Sequence, residues 1–265
     1  MSESVIYRTI GDEGVIEITQ DRSQRTLYLG NDAKQSCVDL HRPHRLVLSY
    51  TRAMMSCLMF LPTPRRVLLV GLGGGSLARF LMHHFPDCQI DAIELRPGVV
   101  KLAHGYFMLP EQDNLAIHVA EARSFLSRGG GRFEHYDLIL VDAFNHDGVA
   151  PSVQSESFIT ACRQRLSAGG IFTINLWNHP CATLRDVLDM IDQGFAGNRL
   201  LLPVIDKGNL IVHAAHDKTC LQLASAKAVA KQLETLMEDM GFSQMLRQLR
   251  RANRWHRLGQ LMGWD

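Results

Sequence analysis

A chain of 265 residues is long enough for one large domain, or for a core domain with a small appendage. Hydrophobic residues at 46% and charged residues at 21% exclude disordered, collagen-like and coiled-coil classes. Twenty-eight Lys+Arg against 27 Asp+Glu leave a net charge of +1, so no global field draws the chain to nucleic acid or an anionic membrane, and neither is an expected partner.

In chain order, residues 14–19 (GVIEIT) and 25–30 (RTLYLG) alternate apolar and polar positions around the polar stretch 20–24, which predicts a β-hairpin. Residues 49–61 are too densely apolar for an alternating strand and are stopped by Pro62, which predicts a buried helix. From Arg65 onward, short apolar runs at 66–70, 89–93, 116–119, 136–141 and 170–176 alternate with helical patterns that include 76–85, 98–104 and 155–167. That order predicts a parallel sheet covered by helices. After a further helix at 183–195, strands at 199–205 and 209–214 flank Asp206-Lys207-Gly208 as a second, antiparallel hairpin. The tail from 221 is helical in pattern, with Leu246, Leu249, Trp255, Leu258 and Leu261 as its packed side and Arg247, Arg250, Arg251, Arg254 and Arg257 as a solvated face.

No apolar run reaches the ~18 residues of a membrane helix, and the N-terminal stretch has no basic region leading into an apolar one, so a cytoplasmic protein is expected. Six scattered cysteines without a Cys-x-x-Cys pair predict reduced, buried thiols. His41 and His44, and the pair His83-His84, have no cysteine or carboxylate at ligand spacing, so no metal is expected. Neither a Gly-x-Ser-x-Gly turn nor a Walker phosphate loop is present.

The sharpest local signal is Val67-Leu-Leu-Val-Gly71-Leu-Gly73-Gly74-Gly75-Ser76, a strand running into a glycine turn and then a helix. Such a turn lets backbone approach a ligand without side chains in the way. Glu94 ends the second strand 23 residues after Gly71, close to the spacing at which an acid meets ribose hydroxyls. Glu121 ends the third strand and Asp142 the fourth. Each acid alone is equally well explained as a helix N-cap or loop residue. Three at the carboxyl ends of adjacent strands, beside a glycine turn, predict a nucleoside crevice.

At these residues the chain resembles the spermidine synthase (polyamine aminopropyltransferase) family over roughly 46–176. The likeness rests on RRVLLVGLGGGSLARF, the acid of AIELRPGVV, Glu121-Ala122, and YDLILVDAFNHDGVAPSVQSESF, in which Tyr136-Asp137, Asp142, Gly148, Pro151 and Phe158 reproduce the family layout. The resemblance implies a class I methyltransferase-like Rossmann sheet of α/β class, mostly parallel with a terminal antiparallel hairpin. It divides the chain into a small N-terminal β region (1–48), a nucleoside-binding catalytic domain (49–215) and a C-terminal helical segment (216–265).

It further implies transfer of an aminopropyl group from decarboxylated S-adenosylmethionine to a small amine, with release of methylthioadenosine, in a homodimer. By the same resemblance Asp142 is the base that takes the amine's proton. Gly71, Gly73, Gly74, Gly75, Glu94, Glu121 and Ala122 hold the nucleoside, Tyr50 and Asn145 face the acceptor with Asp147 in support, and 145–153 is a lid. Trp177-Asn178-His179-Pro180 reads equally as acceptor wall or packed turn. Departures are visible as well: Gly74 stands where the family has an aspartate for the donor's ammonium, Asn145 replaces a second loop acid, and Arg52 brings a cation near the polyamine pocket. They leave open two alternatives on the same fold, a methyltransferase using intact S-adenosylmethionine and a non-catalytic nucleoside-binding protein.

Overall fold

The computed structural model describes residues 3–11, 14–30, 33–145, 148–177, 182–205 and 208–254. The chain begins with four antiparallel strands in meander order, β1 (Ser4–Gly11), β2 (Gly14–Gln20), β3 (Gln24–Leu29) and β4 (Lys34–Asp39). The predicted hairpin is β2–β3; β1 and β4 extend it on either side. Alternation places Ile16, Ile18, Leu27, Leu29 and Val38 on one face, where they bury against Val99, Leu102 and Phe107.

The predicted helix at 49–61 is two elements, α1 (Ser49–Met54) and a 3₁₀ turn (Met55–Met59), both largely buried. From there the chain alternates. β5 (Arg66–Val70), α2 (Ser76–His84), β6 (Gln89–Glu94), α3 (Pro97–Tyr106), β7 (Leu115–Val119), α4 (Ala122–Ser127) and β8 (Tyr136–Val141) come first. A two-residue hairpin, β9 (Phe144–Asn145) and β10 (Gly148–Val149), precedes α5 (Glu156–Arg165), β11 (Leu166–Trp177) and α6 (Ala182–Gly194). The chain then runs through β12 (Arg199–Pro203), β13 (Asn209–Ala214), α7 (Ala226–Leu236) and α8 (Phe242–Ala252).

The seven-stranded sheet has the order β12-β13-β11-β8-β5-β6-β7, with every strand in one direction except β13, which runs antiparallel to both of its neighbours, β11 and β12. The central strands are continuous apolar runs because helices cover both faces. Val67, Leu69, Ile90, Ala92, Leu138 and Leu140 face one core, while Leu68, Val70, Ile93, Ile139 and Val141 face the other. The strand order reverses between β5 and β8, and in open α/β sheets that switch point is where a ligand crevice forms beyond the carboxyl ends. This is the α/β, class I methyltransferase-like arrangement expected from the sequence. Leu246 and Leu249 pack inward from α8 as predicted, while Trp255, Arg257, Leu258 and Leu261 lie outside the described residues.

Two buried polar groups pin the sheet. Asp91, fully buried on β6, accepts hydrogen bonds from Tyr136 Oη at 2.7 Å and Arg132 Nε at 2.9 Å and meets His118 Nε2 at 3.0 Å. On the opposite half, His213 of β13 lies between Ser56 Oγ at 2.7 Å and Thr173 Oγ1 at 2.9 Å, with no exposed surface. Burial drives its pKa down to about 3, so the folded protein holds a neutral imidazole. The unfolded chain protonates this group below about pH 6.5, and the folded chain only near 3. Stability supplied at neutral pH is therefore lost as pH falls through that window, on the order of 2 kcal/mol between pH 6.5 and 5. Denaturant titrations of the wild type and His213→Asn at these two pH values should show this extra loss in the wild type alone. Equal losses in both proteins would refute it.

Among the described residues no helix is long and apolar enough to cross a membrane. Cys37, Cys57, Cys88, Cys162 and Cys220 are free thiols, the first four of them buried.

Candidate active site

The glycine turn follows directly from β5. Gly71 has φ +90°, and a Cβ on it would overlap the carbonyl oxygen of Asp142, because β5 and β8 are neighbours and Asp142 N donates to Val70 O at 2.8 Å. Only glycine fits that crossing of backbones. Gly74 is constrained differently. Its φ is ordinary, but a Cβ there would approach Ser36 Oγ to 2.7 Å and Phe107 Cδ1 to 2.8 Å. The place where the resemblance anticipates an aspartate side chain is thus filled by the N-terminal sheet and by the residue that follows α3. Gly75, at φ +74°, starts α2 and packs on Leu109.

Beyond the carboxyl ends of β5, β6, β7 and β8 lies a cavity of about 760 Å³. Gly71, Gly73, Glu94, Glu121 and Asp142 all line it, with Ala122 beside Glu121 and Tyr50 across from the sheet. The three strand-terminal acids therefore meet at a single hollow. Glu94, 9% exposed, accepts hydrogen bonds from the backbone N–H groups of Leu72 at 3.0 Å and Gly73 at 3.4 Å through one oxygen, and from Arg96 N at 3.0 Å through the other. It holds the glycine turn in shape while presenting a carboxylate edge to the cavity.

Glu121 caps α4, accepting from Arg123 N at 3.0 Å and Ser124 N at 2.8 Å. Partial burial raises its pKa, but these hydrogen bonds outweigh that and keep it below the usual carboxylate range. The cap explanation and the lining position therefore hold for the same side chain.

Asp142 differs from both. Removal from water lifts its pKa to about 6, against the opposing pull of the hydrogen bond from Asn175. Asn175 Nδ2 donates to Asp142 Oδ1 at 2.9 Å. Tyr50 Oη lies against the carboxyl and donates to the Gln35 carbonyl oxygen at 2.8 Å. Such a carboxylate is ionised at neutral pH yet far more basic than an exposed aspartate.

A second hollow of about 360 Å³ adjoins the first at Gln35, Tyr50 and Phe144, and is walled further by Asn175, Trp177 and Asn209. Trp177, left open by the sequence, forms part of this wall, its ring centroid 6.3 Å from that of Phe144. Asn178, His179 and Pro180 lie outside the described residues.

The segment read as a lid contains β9, β10 and the turn Pro151–Gln154, and Phe144, Ala150, Ser152 and Val153 close one side of the larger cavity. The backbone of Asn145 pairs with Gly148, whereas Asp147 lies outside the described residues. Arg52 lines neither hollow: its guanidinium donates to the carbonyl oxygens of Leu46 at 2.8 Å and Val47 at 2.7 Å. The cation expected near an acceptor is spent on the chain entering α1.

Tyr136 and Asp137, which helped carry the family resemblance, serve the frame. Tyr136 binds Asp91, and Asp137 accepts from the Arg66 guanidinium at 2.8 Å. His44 and His83 stack with centroids 3.7 Å apart and His84 sits edge-on to His83, an arrangement of ring faces rather than of converging lone pairs. Among the described residues no group of His, Cys, Asp and Glu is arranged to hold a metal. Asn175 and Asn209 were not anticipated from the sequence. The one available signal was an amide inside the otherwise apolar run FTINL.

The family model for the spermine/spermidine synthase domain matches residues 48–198. A polyamine aminopropyltransferase of Chromobacterium violaceum is 32% identical over 241 residues, 90% of each chain. A probable spermidine synthase from Corynebacterium glutamicum superposes with a TM-score of 0.70 at 18% identity, covering 84% of this chain and 86% of that one. Human methyltransferase-like protein 13 in complex with SAH superposes with a TM-score of 0.62 at 25% identity, covering 71% of this chain and 93% of that one.

Proposed function

From the fact that the chain belongs to the spermine/spermidine synthase family, we propose that it transfers an aminopropyl group from decarboxylated S-adenosylmethionine to a small amine and releases methylthioadenosine. The observation that carries this reading is a single basic carboxylate on the wall of one of two adjoining hollows, hydrogen-bonded to a side chain that walls the other. The larger one, with Glu94, Glu121, Ala122 and the glycine turn, suits a nucleoside; the smaller, which adjoins it at Gln35, Tyr50 and Phe144, is read as the amine's; Asp142 lines the larger and is hydrogen-bonded to Asn175 on the wall of the smaller. In this reading Glu94 accepts from the ribose hydroxyls and Glu121-Ala122 meets the base edge. Tyr50, Asn145 and Asp147 attend the amine.

The chemistry asks little of the protein beyond placement and a neutral nucleophile. The donor's sulfonium makes its neighbouring methylene electrophilic, and the amine nitrogen forms a bond to that carbon as the carbon–sulfur bond breaks. The amine's extra proton passes to Asp142. An alkylammonium titrates near 10.4, so an ordinary aspartate is a poor match; raising Asp142 to about 6 narrows the gap by about two units, or roughly 3 kcal/mol. We further propose a homodimer joined through the N-terminal sheet, on whose edge strand β1 Val5 and Ile10 are exposed.

One observation favours a second reading, in which intact S-adenosylmethionine donates a methyl group: Ser36 and Phe107 leave Gly74 no room for the side chain that a donor ammonium would need. Calorimetry and product analysis decide between the two. We expect the decarboxylated donor to bind at least about tenfold tighter than the intact one, and methylthioadenosine to accumulate when an alkyl amine is added. Tighter binding of the intact donor, with S-adenosylhomocysteine as product, would overturn the first reading.

A further inference from the structure

We infer that Asn209 is a positioning residue for Asp142, acting through Asn175 to fix the carboxylate in the orientation and protonation state that the transfer requires. The inference rests on the reading of Asp142 as base. It stands on a row of side chains crossing three adjacent strands: Asn209 Nδ2 on β13 donates to Asn175 Oδ1 on β11 at 3.0 Å, and Asn175 Nδ2 donates to Asp142 Oδ1, next to the end of β8, at 2.9 Å.

The direction of this row is set by chemistry. An ionised carboxylate can only accept, so Asn175 must turn its NH₂ toward Asp142, which leaves its oxygen facing Asn209. Asn209 must then donate. Without that donor the Asn175 amide is held only by its bond to Asp142 and its own oxygen is left unpaired, and turning it over would set that oxygen against the carboxylate. That arrangement is tolerable only when Asp142 is protonated. Asn175 is 1% exposed, so water is a poor substitute for the missing donor. Among the described residues the titratable group facing Asp142 is Tyr50 of α1; β11 and β13 present amides, and β5 presents the Gly71 backbone. The row begins one residue after Gly208, where an added Cβ would come within 3.0 Å of Trp177 Nε1, so the start of β13 lines the hollow assigned to the amine and is connected to the base.

The test is the pH dependence of turnover in Asn209→Leu, which removes the donor, and Asn209→Gln, which keeps one. In Asn209→Leu the acidic limb should move up by about one unit, so activity relative to wild type falls about threefold at pH 6.5 and about eightfold at pH 5.5, with little change at pH 8.5. The Gln variant should keep the wild-type limb. A role limited to packing would lower activity equally at every pH, and that result, or an unmoved limb, overturns the inference. Carbon-13 titration of the Asp142 carboxyl, assigned with Asp142→Asn, reads the same shift without turnover. If wild type turns over no amine, the functional reading fails, while an upward titration shift in Asn209→Leu still supports the positioning role and its absence still refutes it.

Discussion

Asp142→Asn lowers amine transfer by about 10² to 10⁴-fold, the range expected when a general base is removed, while affinity for methylthioadenosine changes by less than about twofold. The substitution is close to isosteric. The new amide can accept from Asn175 with its oxygen, so the row from Asn209 stays satisfied and the fold has no reason to move. What disappears is the anion. Glu94 and Glu121 do not replace it, because their oxygens are engaged with the backbone of the glycine turn and of α4. Steady-state rates together with calorimetry on the same preparation check both halves. Rates within a few-fold of wild type would show that the amine loses its proton elsewhere. A parallel loss of nucleoside affinity would show that Asp142 belongs to the nucleoside subsite.

Gly71→Ala should be the most damaging single-methyl change in the crevice. At φ +90° an L side chain costs about 1–3 kcal/mol in backbone strain, and overlap with the Asp142 carbonyl adds about 1–3 kcal/mol more as β5 and β8 separate. The displaced atoms are those that carry the function. Leu72 and Gly73 lose their register with Glu94, and the Asp142 backbone moves with the base. We expect a loss of about 2–6 kcal/mol in stability and at least about 100-fold in methylthioadenosine affinity. Gly129→Ala provides the control: its φ of +71° carries strain, but nothing lies within 4 Å of the added carbon, so it isolates the conformational part. Equal effects at the two positions would mean that the close approach of Gly71 to Asp142 has no energetic weight.

The parallel sheet was legible in the sequence because its central strands, buried on both faces, are unbroken apolar runs such as RVLLV and YDLILV. The glycine turn and the strand-end acids were legible for a related reason: in this topology the residue after each such run lies at the crevice. Other features depend on packing that no local pattern records. β4, with the sequence KQSCVD, looks polar yet buries Ser36, Cys37, Val38 and Asp39 because β3 and the glycine turn cover it. The helix at 49–61 reads as continuous, but tightens to a 3₁₀ turn at Met55.

Charge is where local reading went furthest astray. Arg52 was expected beside the acceptor and instead binds the carbonyls of Leu46 and Val47. Asn175 and Asn209 are 34 residues apart and acquire a joint role only when β13 folds back along β11. The pair Tyr136-Asp137 signals the frame rather than the chemistry, since Tyr136 ties β8 to Asp91 of β6 and Asp137 ties it to Arg66 of β5.

The most direct test of the account is a crystal structure with methylthioadenosine and an alkyl amine bound. The account predicts ribose oxygens within hydrogen-bond distance of Glu94, the adenine edge beside Glu121 and Ala122, and the thioether sulfur facing the hollow where the amine nitrogen meets Asp142. A nucleoside seated elsewhere, or an amine whose nitrogen is out of reach of the Asp142 carboxylate, would contradict it.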